Sequence, residues 1–380
     1  MDEGQTYRVL NREIFLLIAL SVVAIGVFLF TKRMSIKEQH LDARIAAIWY
    51  QEGERQLASG QVAKAIESFR KATTGALGNP TYTLALANAL AAGSHDSEAE
   101  QTLLRLRESD PEDAEINLQL ARLAARRGDV ENAVHYYRNA LYGRWNERNA
   151  DERKQQVRVE LIRFLLGRQQ RDLALSELLI LESDLPQSAA AHVEVARLFL
   201  QAGDVQHALK NYELATGLDK NNADALTETG ETAFRAGDYQ QADRYLKAAL
   251  ELKPEDQKIR QHLAVAEFVL STDPLDPHLT IEERQERLLR GFDQSLRRLE
   301  GCLSHASGSQ GDSELQNLKE QATALEPKLR SKHPPDLDLT RATFQLIYKI
   351  EQAALARCGE GEDFDQALLL IGHKHNGAQS

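Results

Sequence analysis

Ala189–Asn222 reads AAAHVEVARLFLQAGDVQHALKNYELATGLDKNN, and the stretch after it, Ala223–Asp256, reads ADALTETGETAFRAGDYQQADRYLKAALELKPED. Laid one under the other, they agree in kind at a spacing of 34 residues. A small residue stands at the eighth place (Ala196, Gly230), Gly-Asp at the turn (Gly203-Asp204, Gly237-Asp238) and alanine at the twentieth (Ala208, Ala242). Apolar residues recur at helical spacing on both sides of the turn, so each stretch is two helices joined by a tight bend. Repetition at this period signals hairpins that bury their faces against one another rather than around one centre.

Extending the register outward gives units at 46–79, 80–113, 114–147, 155–188, 189–222 and 223–256, with a seven-residue insertion, Arg148–Lys154, between the third and fourth. The twentieth place holds Ala65, Ala99, Ala133, Ala174, Ala208 and Ala242, and glycine recurs at the fifteenth as Gly60, Gly128, Gly203 and Gly237. Small residues at the eighth and twentieth places let the two helices of a hairpin approach closely. Glycine permits the turn, and the aspartate after it caps the free N–H groups of the second helix. The fourth unit departs most, with Ile162, Leu178 and Leu181 where the others carry small or aromatic residues. With the insertion before it, this predicts a joint between three front and three rear units.

The pattern resembles the tetratricopeptide repeat family, including Trp49 at the fourth place of the first unit and Phe69, Tyr137 and Tyr212 at the twenty-fourth. The resemblance covers 46–256 and implies an all-α solenoid that binds proteins in a concave groove lined by first helices. It also implies that the ninth place faces the groove, and here that place reads Glu54, Asn88, Arg122, Arg163, Arg197 and Glu231. The candidate groove is therefore Asn88, Arg122, Arg126, Arg163, Arg197 and Glu231. Three arginines in the middle of it suit an acidic peptide, because a guanidinium pairs bidentately with a carboxylate. The competing reading is that they pair locally, since Glu160 and Glu194 stand three residues before Arg163 and Arg197. The carboxylate clamp of chaperone-binding members is not matched: Asn88 fits one position, but Gln119, Gln156 and Glu160 do not continue it.

Before the repeats, residues 1–13 form a short tail and 14–31 a transmembrane helix, built on the uncharged run IFLLIALSVVAIGVFLF from Ile14 to Phe30. That length crosses a hydrocarbon layer and exceeds a signal-peptide core, although a signal peptide and a buried helix are the alternatives. Residues 32–45 are a juxtamembrane linker. Arg8 and Arg12 precede the run, while Lys32, Arg33, Lys37 and Arg44 follow it. This count favours a cytoplasmic body at a bacterial-type inner membrane, and the two leading arginines are also compatible with the opposite topology.

Beyond the repeats, 257–372 reads as a helical cap or small bundle: one more first helix at Ile259–Leu270, then helices at Ile281–Leu303, Leu315–Leu329, Asp336–Cys358 and Phe364–Ile371. Leu288, Phe292, Leu296, Leu299 and Leu303 form one stripe, for packing onto the last repeat or for a partner. Residues 373–380 read as a flexible tail whose His373 and His375 are solvated rather than metal-bound. Cys302 and Cys358 either pair across two helices or are separate buried thiols.

With 46 Lys and Arg against 57 Asp and Glu, the net charge of −11 disfavours nucleic acid as a partner. No phosphate loop, GxSxG elbow or HExxH is present, so neither an enzyme, a cofactor nor a metal is expected. The sequence reads as a single-pass membrane scaffold that recruits or assembles partner proteins. The alternative is a permanent accessory subunit of a larger membrane complex.

Overall fold

The computed structural model describes residues 42–146, 148–305, 312–331 and 334–377, together with Ile25, Phe28, Leu29 and Lys32. The span expected at Ile14–Phe30 thus lies almost wholly outside the described residues. Among those described, no helix is long and apolar enough to cross a membrane. The chain divides into two compact units, the first ending at Gln169 and the second starting at Gln170. This division falls inside the fourth 34-residue stretch, between its two helices, rather than at the insertion before it.

The first unit holds α1, helical over 42–58, α2 (Val62–Gly75), α3 (Pro80–Ala92), α4 (Asp96–Ser109), α5 (Ala114–Arg127), α6 (Val130–Tyr142) and α7 (Ala150–Gly167). Successive helices pack in sequence, α3 on α4 and α5 on α6, as hairpins do. The alanines at the twentieth place explain how: Ala65, Ala99 and Ala133 are fully buried, with the rings of Phe69 and Tyr137 buried beside them. Gly53 shows how little room the close approach leaves, because a Cβ there would stand 2.7 Å from the Phe69 ring. Most of the insertion is helical, Ala150–Lys154 supplying the first turns of α7.

The second unit begins with α8 (Arg171–Ser183) and continues as two hairpins, α9 (Ala189–Ala202) with α10 (Val205–Leu218) and α11 (Ala223–Arg235) with α12 (Tyr239–Leu252). Gly203 and Gly237 take left-handed φ angles of 91° and 76°, where any other L-residue is strained. Asp204 and Asp238 then cap α10 and α12, each accepting a 3.0 Å hydrogen bond from the backbone N–H three residues on.

After α12 the unit continues as α13 (Gln257–Thr272), α14 (Ile281–His305), α15 (Asp312–Leu329), α16 (Leu337–Cys358) and α17 (Asp363–Gly377). A reciprocal cap starts α14: Glu283 N–H donates to the Thr280 hydroxyl at 3.2 Å, while Thr280 N–H donates to the Glu283 carboxylate at 2.9 Å. Leu288, Phe292 and Leu299 are fully buried in a core that runs unbroken from α12 to α17. The stripe on α14 therefore serves packing.

The flexible tail expected from 373 onward is corrected at its start: residues 373–377 belong to α17. Asp273, nearly fully buried at the end of α13, accepts from Lys374 Nζ at 2.9 Å and lies 3.0 Å from His375 Nε2. His373 Nδ1 lies 3.2 Å from the Tyr348 hydroxyl. α17 thereby returns to α13, which has no second helix of its own, and packs against it, with Phe364 edge-on to Phe268. Cys302 and Cys358 form a disulfide, Cα atoms 5.9 Å apart, joining α14 to the end of α16.

Candidate functional site

Arg122, on α5, donates through Nε and Nη2 to the two oxygens of Glu160, on α7, both at 2.9 Å. The Tyr137 hydroxyl, from α6, donates to the same carboxylate at 2.8 Å. Burial opposes the charge on Glu160, but the hydrogen bonds from Arg122 and Tyr137 outweigh it and hold the carboxyl below its ordinary range. The Arg122 guanidinium is raised in turn, chiefly by the bond to Glu160. Burial, then the Glu160 charge, pushes the Tyr137 hydroxyl far up.

The second unit repeats this arrangement more loosely. Arg197 on α9 reaches Glu228 on α11 at 3.4 Å, and the Tyr212 hydroxyl of α10 donates to Glu228 at 3.4 Å. In both units the ninth place of one repeat meets the sixth place of the next, with the twenty-fourth-place tyrosine between them. Glu231, also at a ninth place, departs from this: it pairs at 2.7 Å with Lys258, at the second place of the following stretch, and lies 3.7 Å from His262 Nδ1 at the sixth, with Leu246 at the twenty-fourth place instead of a tyrosine.

The other candidates separate. Arg126, at the end of α5, pairs at 2.7 Å with Asp96, the first residue of α4. Arg163 is exposed on α7 and is not without a partner. Asn88, on α3, keeps a buried side-chain oxygen with no hydrogen bond. Arg122 and Arg163 belong to the first unit and Arg197 to the second. Glu160, which helical spacing suggested as a local partner of Arg163, accepts two hydrogen bonds from Arg122, 38 residues earlier.

Two residue types went unnoticed in the sequence. The tyrosines at the twenty-fourth place enter the sequence reading only as part of the resemblance, although each carries a hydroxyl that needs an acceptor once buried. Trp145, at the thirty-second place of the third unit, has no counterpart there in the other units: Pro111, Pro186 and Pro254 hold that place in three of them.

Residues 56–123 match a family model described as a tetratricopeptide repeat, and residues 227–273 match another of the same description. Two stretches of this chain, one in each unit, carry the tetratricopeptide repeat pattern. No curated protein matches. Among solved structures, the chain is similar to YrrB, described as a TPR protein with an unusual peptide-binding site, at 20% identity and TM-score 0.39, over 52% of this chain and 98% of that one. It is similar to PilW, a type IV pilus biogenesis factor, at 19% identity and TM-score 0.39, over 58% of this chain and 98% of that one. A TPR repeat-containing protein from Cytophaga hutchinsonii matches at 12% identity and TM-score 0.44, over 63% of this chain and 92% of that one. These identities and scores carry no functional argument. The tetratricopeptide-type hairpins themselves do, because repeats of this kind mediate protein–protein contacts.

Proposed function

We propose that this chain is a scaffold that gathers partner proteins on tetratricopeptide-type hairpins and is held at a membrane by the Ile14–Phe30 run. The observation that carries the reading is that first helices in both units present partly exposed charged and polar side chains held in fixed pairs. Gln119, Arg122 and Glu160 do so in the first unit, and Arg197, Glu228 and Glu231 in the second. Side chains ordered before a partner arrives lose little entropy on binding.

An acidic peptide remains the ligand class proposed for the arginines, and the pairing sets its terms. A ligand carboxylate at Arg122 has to displace Glu160 and satisfy Tyr137 as well, so a single exposed carboxylate gains little, whereas several engaged at once gain more.

The disulfide bears on the side of the membrane. Disulfides persist in oxidising compartments and are rare in the cytosol. We therefore assign the body to the oxidising side, against the side that the count of basic residues favours. Alkaline phosphatase fused after Ser380 is expected to be active in intact cells; an inactive fusion places the body in the cytosol.

Crosslinking in native membranes followed by mild-detergent pull-down tests the scaffold reading. Wild type is expected to capture a reproducible set of proteins, and the combined Arg122→Glu, Arg163→Glu and Arg197→Glu variant to lose some of them. A set unchanged by charge reversal removes the arginines from the site, and an empty wild-type set overturns the scaffold.

A further inference from the structure

A cleft lies where the chain leaves α6, just before the insertion. Gly143, just after α6, passes so close to the turn before α5 that a Cβ on it would meet the carbonyl oxygen of Glu112 at 2.7 Å, as well as that of Asn139 on α6 at 2.6 Å. This lets the chain lie across that turn: Arg144 N–H donates to Glu112 O at 2.8 Å, and Ala114 N–H donates to Arg144 O at 3.2 Å. The Arg144 side chain pairs with Asp110 at 2.5 Å, and Trp145 Nε1 donates to Ala140 O at 2.9 Å. The indole is thereby fixed as one wall of a cleft of about 540 Å³ inside the first unit, with Leu84, Leu106 and Ile116 as apolar lining and Asp113 and Glu115 at its polar side. Sites for small ligands fall in this range of volume.

The charges in the cleft are unequal. Arg144 offsets Asp110, but Asp113 spends only one oxygen, on capping α5 at Ile116 N–H. Glu115 accepts from Gln119 at 2.6 Å and stands 3.5 Å from Arg153. Arg153 reports what this chemistry selects, because its guanidinium lies 5.6 Å from the centre of the Trp145 ring as well as beside Glu115. The chain has placed one cation of its own where the indole and the carboxylate converge.

We propose that the Trp145 cleft docks a partner segment that presents a lysine or arginine next to an apolar residue. The apolar side chain fills the space between Leu84, Leu106 and Ile116. The basic side chain brings its head to Asp113 and takes the place of Arg153, whose 3.5 Å contact is a long one, beside the indole and Glu115. An anionic ligand meets these two carboxylates unfavourably, which separates the cleft from any acid-binding role of the first-helix arginines. The inference rests on the reading of this chain as a binder of partner proteins and gives that reading a second, oppositely charged site.

The test uses the full chain in mild detergent with Trp49→Phe, which leaves Trp145 as the only tryptophan of the two in the sequence. The probes are the blocked tripeptides Ac-Leu-Arg-Leu-NH2, Ac-Leu-Gln-Leu-NH2 and Ac-Leu-Glu-Leu-NH2, and the readout is Trp145 fluorescence. The arginine peptide is expected to give a saturable change, the other two to bind at least about tenfold more weakly, one charge-assisted contact being worth that much. Asp113→Asn with Glu115→Gln keeps the helix cap and the neutral hydrogen bonds, and is expected to weaken the arginine peptide by a similar factor with an unchanged circular dichroism spectrum. No saturable change, equal binding of all three peptides, or full binding by the double variant each overturns the proposal. If the double variant still captures the whole wild-type set of partners in membranes, the cleft is not their site while the scaffold reading stands. An empty wild-type set refutes that reading instead.

Discussion

Arg122 and Glu160 stand 38 residues apart in the chain and are joined by two parallel hydrogen bonds of 2.9 Å, with Tyr137 as a third member. The carboxylate serves two donors, so its loss and the loss of the arginine are not equivalent. Glu160→Ala is expected to lower the stability of the first unit by about 1–2 kcal/mol, because a guanidinium and the hydroxyl of the buried Tyr137 both lose their acceptor. Arg122→Ala is expected to cost less, since Glu160 keeps Tyr137 and water, and about a third of each side chain is exposed. Urea unfolding followed by circular dichroism reads the difference; equal costs would show that Tyr137 adds nothing to the pair.

Glycine inside a helix ordinarily gains stability on replacement by alanine, by roughly 1 kcal/mol. Gly230 on α11 reverses the sign, because a Cβ would lie 2.7 Å from the Leu246 side chain and 3.1 Å from its backbone nitrogen. Gly230→Ala is expected to destabilise the second unit by about 1–3 kcal/mol through overpacking. A raised melting temperature would mean that α11 and α12 have room to part.

Glu351 on α16 is fully buried at the side chain and pairs with Arg298 of α14 at 2.5 Å, while Asp365 of α17 stands 3.7 Å from the same guanidinium. Burial, then the charge of Asp365, pushes Glu351 up to about 7. In the unfolded chain the carboxyl has its ordinary value near 4.5. Between those values the folded protein holds a proton that the unfolded chain has released, so stability falls as pH rises from about 5 to about 7 and then levels. Glu351→Gln is expected to flatten this fall in unfolding midpoints measured from pH 5 to 8. An identical fall in the variant would show that Glu351 is not its cause.

The disulfide closes a sequence separation of 56 residues. By loop entropy alone, Cys302→Ser with Cys358→Ser is expected to cost roughly 4 kcal/mol. The loss should be confined to the second unit, so two-step unfolding in which only one step moves is the expected pattern. Both steps moving equally would show that the units unfold together.

How much was legible follows from where each signal lies. The hairpins could be read because Ala65, Ala99, Ala133, Ala174, Ala208 and Ala242 all stand at close helix contacts, and the caps because Gly-Asp has one local cause at each turn. The partner of Glu160 could not be read from spacing, since contact along one helix and contact between neighbouring hairpins compete and sequence distance sees only the first. Trp145 gave no periodic signal, because its place depends on Gly143 meeting a turn some thirty residues earlier. The last helix was drawn too short because its end is held by Asp273, 101 residues before Lys374.

That long-range closure has a further consequence for how the array can grow. A stack of hairpins is open-ended in principle: each exposed terminal face is an invitation to another repeat or another molecule, and head-to-tail contacts that do not close produce fibres. Here the final face, on α13, is taken by α17 of the same chain, locked by an ion pair and an aromatic contact. With α17 seated there, that face of α13 has no room for another hairpin, so removal of α17 is expected to bare it and raise self-association, read as a sedimentation coefficient that grows with concentration.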